Sequence, residues 1–70
     1  MSMAKKIKIL AMERNMTIRQ LSNKLGYSGS YLYNKLHRDR FTEKELKAIA
    51  AALDCEYEGI FTFKDTGRQL

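Results

Sequence analysis

Seventy residues make one small domain, whose single core is thin enough that a second subunit would help it. Thirteen Lys and Arg against eight Asp and Glu give a net charge of +5, and the lone Cys55 and single histidine exclude an internal disulfide and a Cys/His metal cluster. No metal, cofactor or small-molecule ligand is therefore expected, a reducing cytoplasm fits, nothing is apolar enough to span a membrane, and the apolar run after the basic start "MAKKIKILAM" is too short for an export signal.

With no proline, repeat or low-complexity stretch, the chain reads as one unit of four helices followed by a strand. The first helix is predicted from Met3 to Arg14, with Met3, Ile7, Leu10 and Ala11 on its buried face, Ser2 as cap and Asn15 as a left-handed stop; Ile9 falls off that stripe, toward solvent. The second opens with Thr17 as cap, Gln20 completing the reciprocal capping bond and Met16 set to staple against Leu21; Ile18, Leu21 and Leu25 face inward and Gly26 ends it. The third follows after a turn of about three residues, with Ser28 as cap, Gly29 at its first position, Tyr27 set to staple against Leu32, and Leu32 and Leu36 inward. The fourth repeats this grammar: Thr42 caps, Glu45 completes the box, Phe41 staples to Leu46, and Leu46, Ile49, Ala50 and Leu53 recur at helical spacing.

After Leu53 the period changes. Tyr57, Phe61 and Phe63 alternate with Glu58, Thr62 and Lys64, which predicts a strand over 55–64; "KDTG" is then a turn and "RQL" a short returning strand. A fifth helical turn over 56–61 is the alternative. The chain thus divides into a helical part, 1–54, and an extension, 55–70. A strand whose only partner is a three-residue tail leaves an edge open, so a second copy is expected to pair with it, with Tyr57, Ile60, Phe61 and Phe63 forming the dimer contact.

The charge is segregated. Residues 1–40 hold nine basic residues against Glu13 and Asp39, a net +7, whereas residues 41–70 hold four against six acidic, a net −2. The first part is the one suited to face a polyanion. Two short helices around a tight glycine turn, in a basic helical core, point to a DNA-binding helix-turn-helix. Opposite Leu32 and Leu36, the third helix presents Ser30, Tyr33, Asn34 and His37, all hydrogen-bonding groups, and no acidic residue lies between Gly26 and Arg38. A solvated helix face more usually carries Glu and Lys one turn apart. Asn34 can pair bidentately with adenine, Ser30 and Tyr33 can reach base edges or phosphates, and Lys24, His37, Arg38 and Arg40 can hold the backbone. Gly29 within a helix costs on the order of 1 kcal/mol against alanine, which close approach of the backbone to DNA would explain. Tyr31 and Tyr33 are equally compatible with half-buried core positions.

The stretch "MTIRQLSNKLGYSGSYLYNKLHRDRFTEKELKAIAAAL", 16–53, resembles the Cro/CI-type repressors of bacteriophages and mobile elements, through Thr17, Leu21, Leu25, Gly26, Ser28, Leu32 and Leu36 and then Leu46, Ile49, Ala50 and Leu53. The resemblance implies a mainly α, lambda-repressor-like domain and a homodimeric, operator-binding transcriptional regulator. It also implies base contacts from Ser28, Gly29, Ser30, Tyr33 and Asn34, and backbone contacts from Thr17 and Gln20. Gly29 departs from the glutamine or arginine common at its position, and Arg38 stands where a glycine commonly ends the recognition helix.

An enzyme is the least expected class, since no carboxylate pair, Cys-His or Ser-His arrangement or phosphate-binding loop is present. The stronger rival is an antitoxin-type protein whose C-terminal segment binds a partner protein. RNA binding is weaker, for want of an aromatic sheet platform.

Overall fold

The computed structural model describes residues 2–70. Four helices, α1 (Met3–Glu13), α2 (Ile18–Lys24), α3 (Tyr31–Arg38) and α4 (Glu43–Ala52), precede a hairpin of β1 (Cys55–Tyr57) and β2 (Phe61–Phe63). The helix ends follow the sequence signals closely. Ser2 Oγ accepts from the Lys5 amide, and the capping boxes at Thr17/Gln20 and Thr42/Glu45 are both complete. Asn15 and Gly26 take φ of 56° and 88°. Each closes a Schellman motif, in which the next amide reaches back, Met16 N to Ala11 O and Tyr27 N to Ser22 O. Arg38 is no obstacle to leaving α3, because Asp39 takes the left-handed conformation at φ 52° and caps the helix. Its carboxylate then accepts from the Ala4 amide at 2.8 Å, so one residue closes α3 and the start of α1.

Ile7, Leu10, Leu21, Leu53 and Phe61 are completely or almost completely buried, and Ala11, Leu32, Leu36, Leu46, Ile49, Ala50, Cys55 and Phe63 complete the core around them. Ile18, Leu25 and Phe41 pack against that core from half-buried positions, and Ile9 is half-buried rather than exposed.

Two further expectations are corrected. The third helix starts at Tyr31, so Ser28 is not its cap and Gly29 is not its first residue. Ser30 occupies the cap position in a helical conformation and makes no side-chain capping bond. Tyr27 stacks on Tyr31, ring centroids 4.1 Å apart. The second correction concerns residues 55–64, which form neither one strand nor a fifth helical turn. The chain reverses at Glu58–Ile60, where Gly59 has φ 79°, and β1 pairs antiparallel with β2 in the register Cys55 with Phe63 and Tyr57 with Phe61. The alternation of apolar residues continues across the turn, which is why it reads as one strand. The returning tail is present: Phe61 and Leu70 exchange backbone bonds, and Phe63 N donates to Arg68 O. Of the segment that was expected to be open, the β2 half is thus satisfied on both sides by its own chain, while β1 has β2 as its one strand partner among the described residues.

Candidate nucleic-acid interface

The unit formed by α2, the turn and α3 is tied together by a residue the sequence reading passed over. Ser22 is fully buried on the inner side of α2. Its hydroxyl donates to Ser28 O and accepts from the Leu32 amide at 3.3 Å, so the N-terminal cap of α3 comes from another helix. This explains how α3 begins without a local cap, and it leaves the hydroxyls of Ser28 and Ser30 with no intramolecular bond among the described residues. A signal existed: Ser22 lies four residues after Ile18 and three before Leu25, on the inward flank of that helix.

With Leu32 and Leu36 buried, α3 turns Tyr33, Asn34 and His37 outward, and Ser30 joins them from the turn. Tyr33 is 55% exposed, so of the two uncertain tyrosines it is the surface one, while Tyr31 is half-buried beneath Tyr27. Ser28 is exposed in the turn, whereas Gly29 is half-buried. On α2, Thr17, Gln20 and Lys24 are exposed. The Thr17 hydroxyl and Gln20 Oε1 are engaged in the capping box, which leaves the Gln20 NH2 group free to donate outward. Arg38 and Arg40 are exposed beyond the end of α3.

The cations sort into two groups. Arg14 Nε donates to Leu53 O at 2.8 Å, its two terminal nitrogens hold both Asp65 oxygens at 3.0 Å, and its guanidinium lies over the Phe63 ring. Those bonds hold the Asp65 carboxyl below its ordinary range and raise the Arg14 pKa still further. Lys35 pairs with Glu45 at 2.9 Å, and Arg68 pairs with Glu13. Arg19, Lys24, Arg38 and Arg40 have no ion-pair partner among the described residues. The expected backbone-contacting cations thus remain uncommitted, while Lys35 belongs to the scaffold.

The expected dimer residues are divided. Phe61 and Phe63 are buried in the chain's own core, Tyr57 is half-buried with its ring centroid 4.8 Å from that of Phe61, and Ile60 is exposed at the hairpin turn.

The sequence pattern of the Cro/C1-type HTH DNA-binding domain matches residues 6–66, which takes in α1 from Lys6 onward, α2 to α4 and the hairpin. Neither a curated protein nor a solved structure matches the chain. A capped two-helix unit with an outward polar helix face, on a small helical core and within a match of that length, has one family reading: the chain belongs to the Cro/C1-type helix-turn-helix DNA-binding domains.

Proposed function

We propose that this DNA-binding domain is a sequence-specific transcriptional repressor that reads a palindromic operator as a homodimer in the cytoplasm. The observation that carries the reading is the outward face of α3, where Ser30, Tyr33, Asn34 and His37 are exposed and no acidic residue intervenes. Set into a major groove, that face puts Asn34 where a bidentate bond to adenine can form, with the Ser28 and Ser30 hydroxyls at the leading end of the helix. The Gln20 amide, Thr17, Lys24, His37, Arg38 and Arg40 serve the flanking phosphates and fix the angle at which the helix lies. Repression follows from occupancy, since a bound dimer covers promoter DNA.

Dimerisation now rests on a different surface from the open strand first expected. Among the described residues β1 has one strand partner, β2, so its other edge is available. Ile60, exposed at the adjoining turn, and the half-buried Tyr57 supply apolar area beside that edge. Phe61 and Phe63 shape the hairpin from within. Two copies joined by β1 edges about a two-fold axis present paired recognition helices, and a half-site spacing of about 34 Å is the geometry a palindrome requires.

Selection of bound duplexes from a random pool tests the reading, together with sedimentation at the concentrations used. A palindromic consensus, affinity that falls steeply with salt and a dimer mass are expected. Absence of any enriched duplex defeats the DNA-reading function; a consensus bound by a monomer defeats the dimer alone.

A further inference from the structure

Gly29 is the position where the recognition unit most lacks a side chain, and its backbone does not require glycine, since its φ lies outside the left-handed region. Space requires it. A Cβ built on Gly29 would lie 3.0 Å from Arg19 Cγ and 3.2 Å from both Arg19 Cζ and Nη1. The arginine from the start of α2 therefore crosses the turn and runs its stem and guanidinium beside Gly29, just ahead of α3. Arg19 is exposed and makes neither an ion pair nor a side-chain hydrogen bond among the described residues. Its fork of donors lies beside the turn with its bonding capacity unspent.

We infer that Arg19 is a specificity-determining residue, reading a guanine in each half-site from the position that the missing Gly29 side chain leaves open. The inference rests on the DNA-binding reading. The residues at the N-terminal end of a recognition helix are those that reach base edges in the major groove. Guanine offers there two adjacent acceptors, O6 and N7, which match a guanidinium bidentately. Ser28 and Ser30 on either side are too short to fill that place, so the base beneath Gly29 is read by a side chain that α2 supplies. Glycine is then part of the reading device, because a Cβ at 29 would press on the arginine stem at Cγ and shift it by a few tenths of an ångström.

The test is selection from a random duplex pool with the intact protein and with Arg19→Ala, Arg19→Lys and Gly29→Ala, each first shown by its unfolding midpoint to be folded. The intact protein should enrich guanine at one position per half-site. Arg19→Ala should lose that preference about ten-fold or more while keeping preferences elsewhere, and Arg19→Lys should keep the salt dependence but not the preference, since an ammonium lacks the fork. Gly29→Ala should lose the preference at the same position, and the double variant should be no worse than Arg19→Ala. If Arg19→Ala weakens all duplexes equally, Arg19 is a phosphate contact and the inference is overturned. It is equally overturned if Arg19→Ala leaves the consensus unchanged, or if the position sensitive to Gly29→Ala differs from the one sensitive to Arg19→Ala. An intact protein that enriches no duplex overturns the DNA-binding reading and this inference together.

Discussion

Arginine and lysine do opposite work at the two ends of this molecule. At the hairpin end, Arg14 ties α1 to the carbonyls after α4, to Asp65 and to the face of Phe63, and Arg68 returns to Glu13. Along α2 and α3, Arg19, Lys24, Arg38 and Arg40 carry the same charge with no acidic partner among the described residues. The first region spends its polar groups on the chain itself. The second keeps them free and relies on one buried serine and two backbone caps for its shape. Net charge therefore overstates the scaffold's share of the polyanion-facing surface: Arg14 and Lys35 count toward the basic half of the sequence but are committed internally.

The comparison breaks most completely if the hairpin proves dispensable. Phe61 is a fully buried aromatic side chain in a two-stranded hairpin too short to persist alone. Phe61→Ala should cost about 3–5 kcal/mol, most of what a domain of this size has to lose. Urea unfolding followed by circular dichroism reads it. A loss below about 1 kcal/mol would make the hairpin an appendage rather than part of the core.

At the other end the prediction has the opposite form. Asn34 is exposed and supports nothing, so Asn34→Ala should leave the unfolding midpoint unchanged while costing about 1–3 kcal/mol on the preferred duplex, with preference relaxed at one or two positions. Equal loss on preferred and random duplexes would remove Asn34 from the base-reading set.

Ser22 joins the two kinds of region, being buried like the scaffold yet shaping the recognition unit. Ser22→Ala strands the Leu32 amide and removes a donor from Ser28 O, for an expected loss of about 1–2 kcal/mol and faster hydrogen exchange at the Leu32 amide. If Leu32 stays protected, the cap of α3 lies elsewhere.

How much of this was legible in the sequence follows the range of each interaction. The Thr17/Gln20 and Thr42/Glu45 boxes, the stop at Gly26 and the core stripe of α4 are set within four residues of themselves, and local pattern finds them. Ser28 was misassigned because the cap of α3 comes from Ser22, a partner outside any local window. The hairpin was misread because period-two alternation passes unbroken through its turn, and only Gly59 marks the reversal. On the site, the exposure of Asn34 and His37 followed from the inward leucines, whereas spacing left Tyr33 equally open to a half-buried position. The placement of Arg19 beside Gly29 did not follow, since nothing in spacing says where a long side chain comes to rest.

Smaller effects should come from the uncommitted cations. Lys24→Ala and Arg40→Ala should leave stability untouched, weaken every duplex alike, and each lower the slope of log affinity against log salt by about one. An unchanged slope would place that residue away from the phosphates.

The smallest effect probes the one cation of α3 that belongs to the scaffold. Glu45 accepts from the Thr42 amide at 2.8 Å and pairs with Lys35, and both interactions, the backbone bond foremost, hold its pKa below the ordinary carboxylate value. A depressed folded-state pKa contributes stability that is fully present above the unfolded value of about 4.3 and is lost as pH falls through the lower folded value. Glu45→Gln isolates that charge, because glutamine keeps an oxygen for the Thr42 amide and so preserves the capping box while removing the ion pair. The intact protein should therefore lead the variant modestly at pH 6, and the lead should close as pH falls from the unfolded value of about 4.3 through the lower folded value, beneath which the glutamate is itself neutral. Asp65, depressed by Arg14, titrates in both proteins and cancels from the difference. Partly exposed ion pairs contribute little, and salt should narrow the lead further. A lead that persists unchanged at pH 2 would show that glutamine disturbs the start of α4 itself, and that Lys35 could be released to the DNA face without cost to the fold.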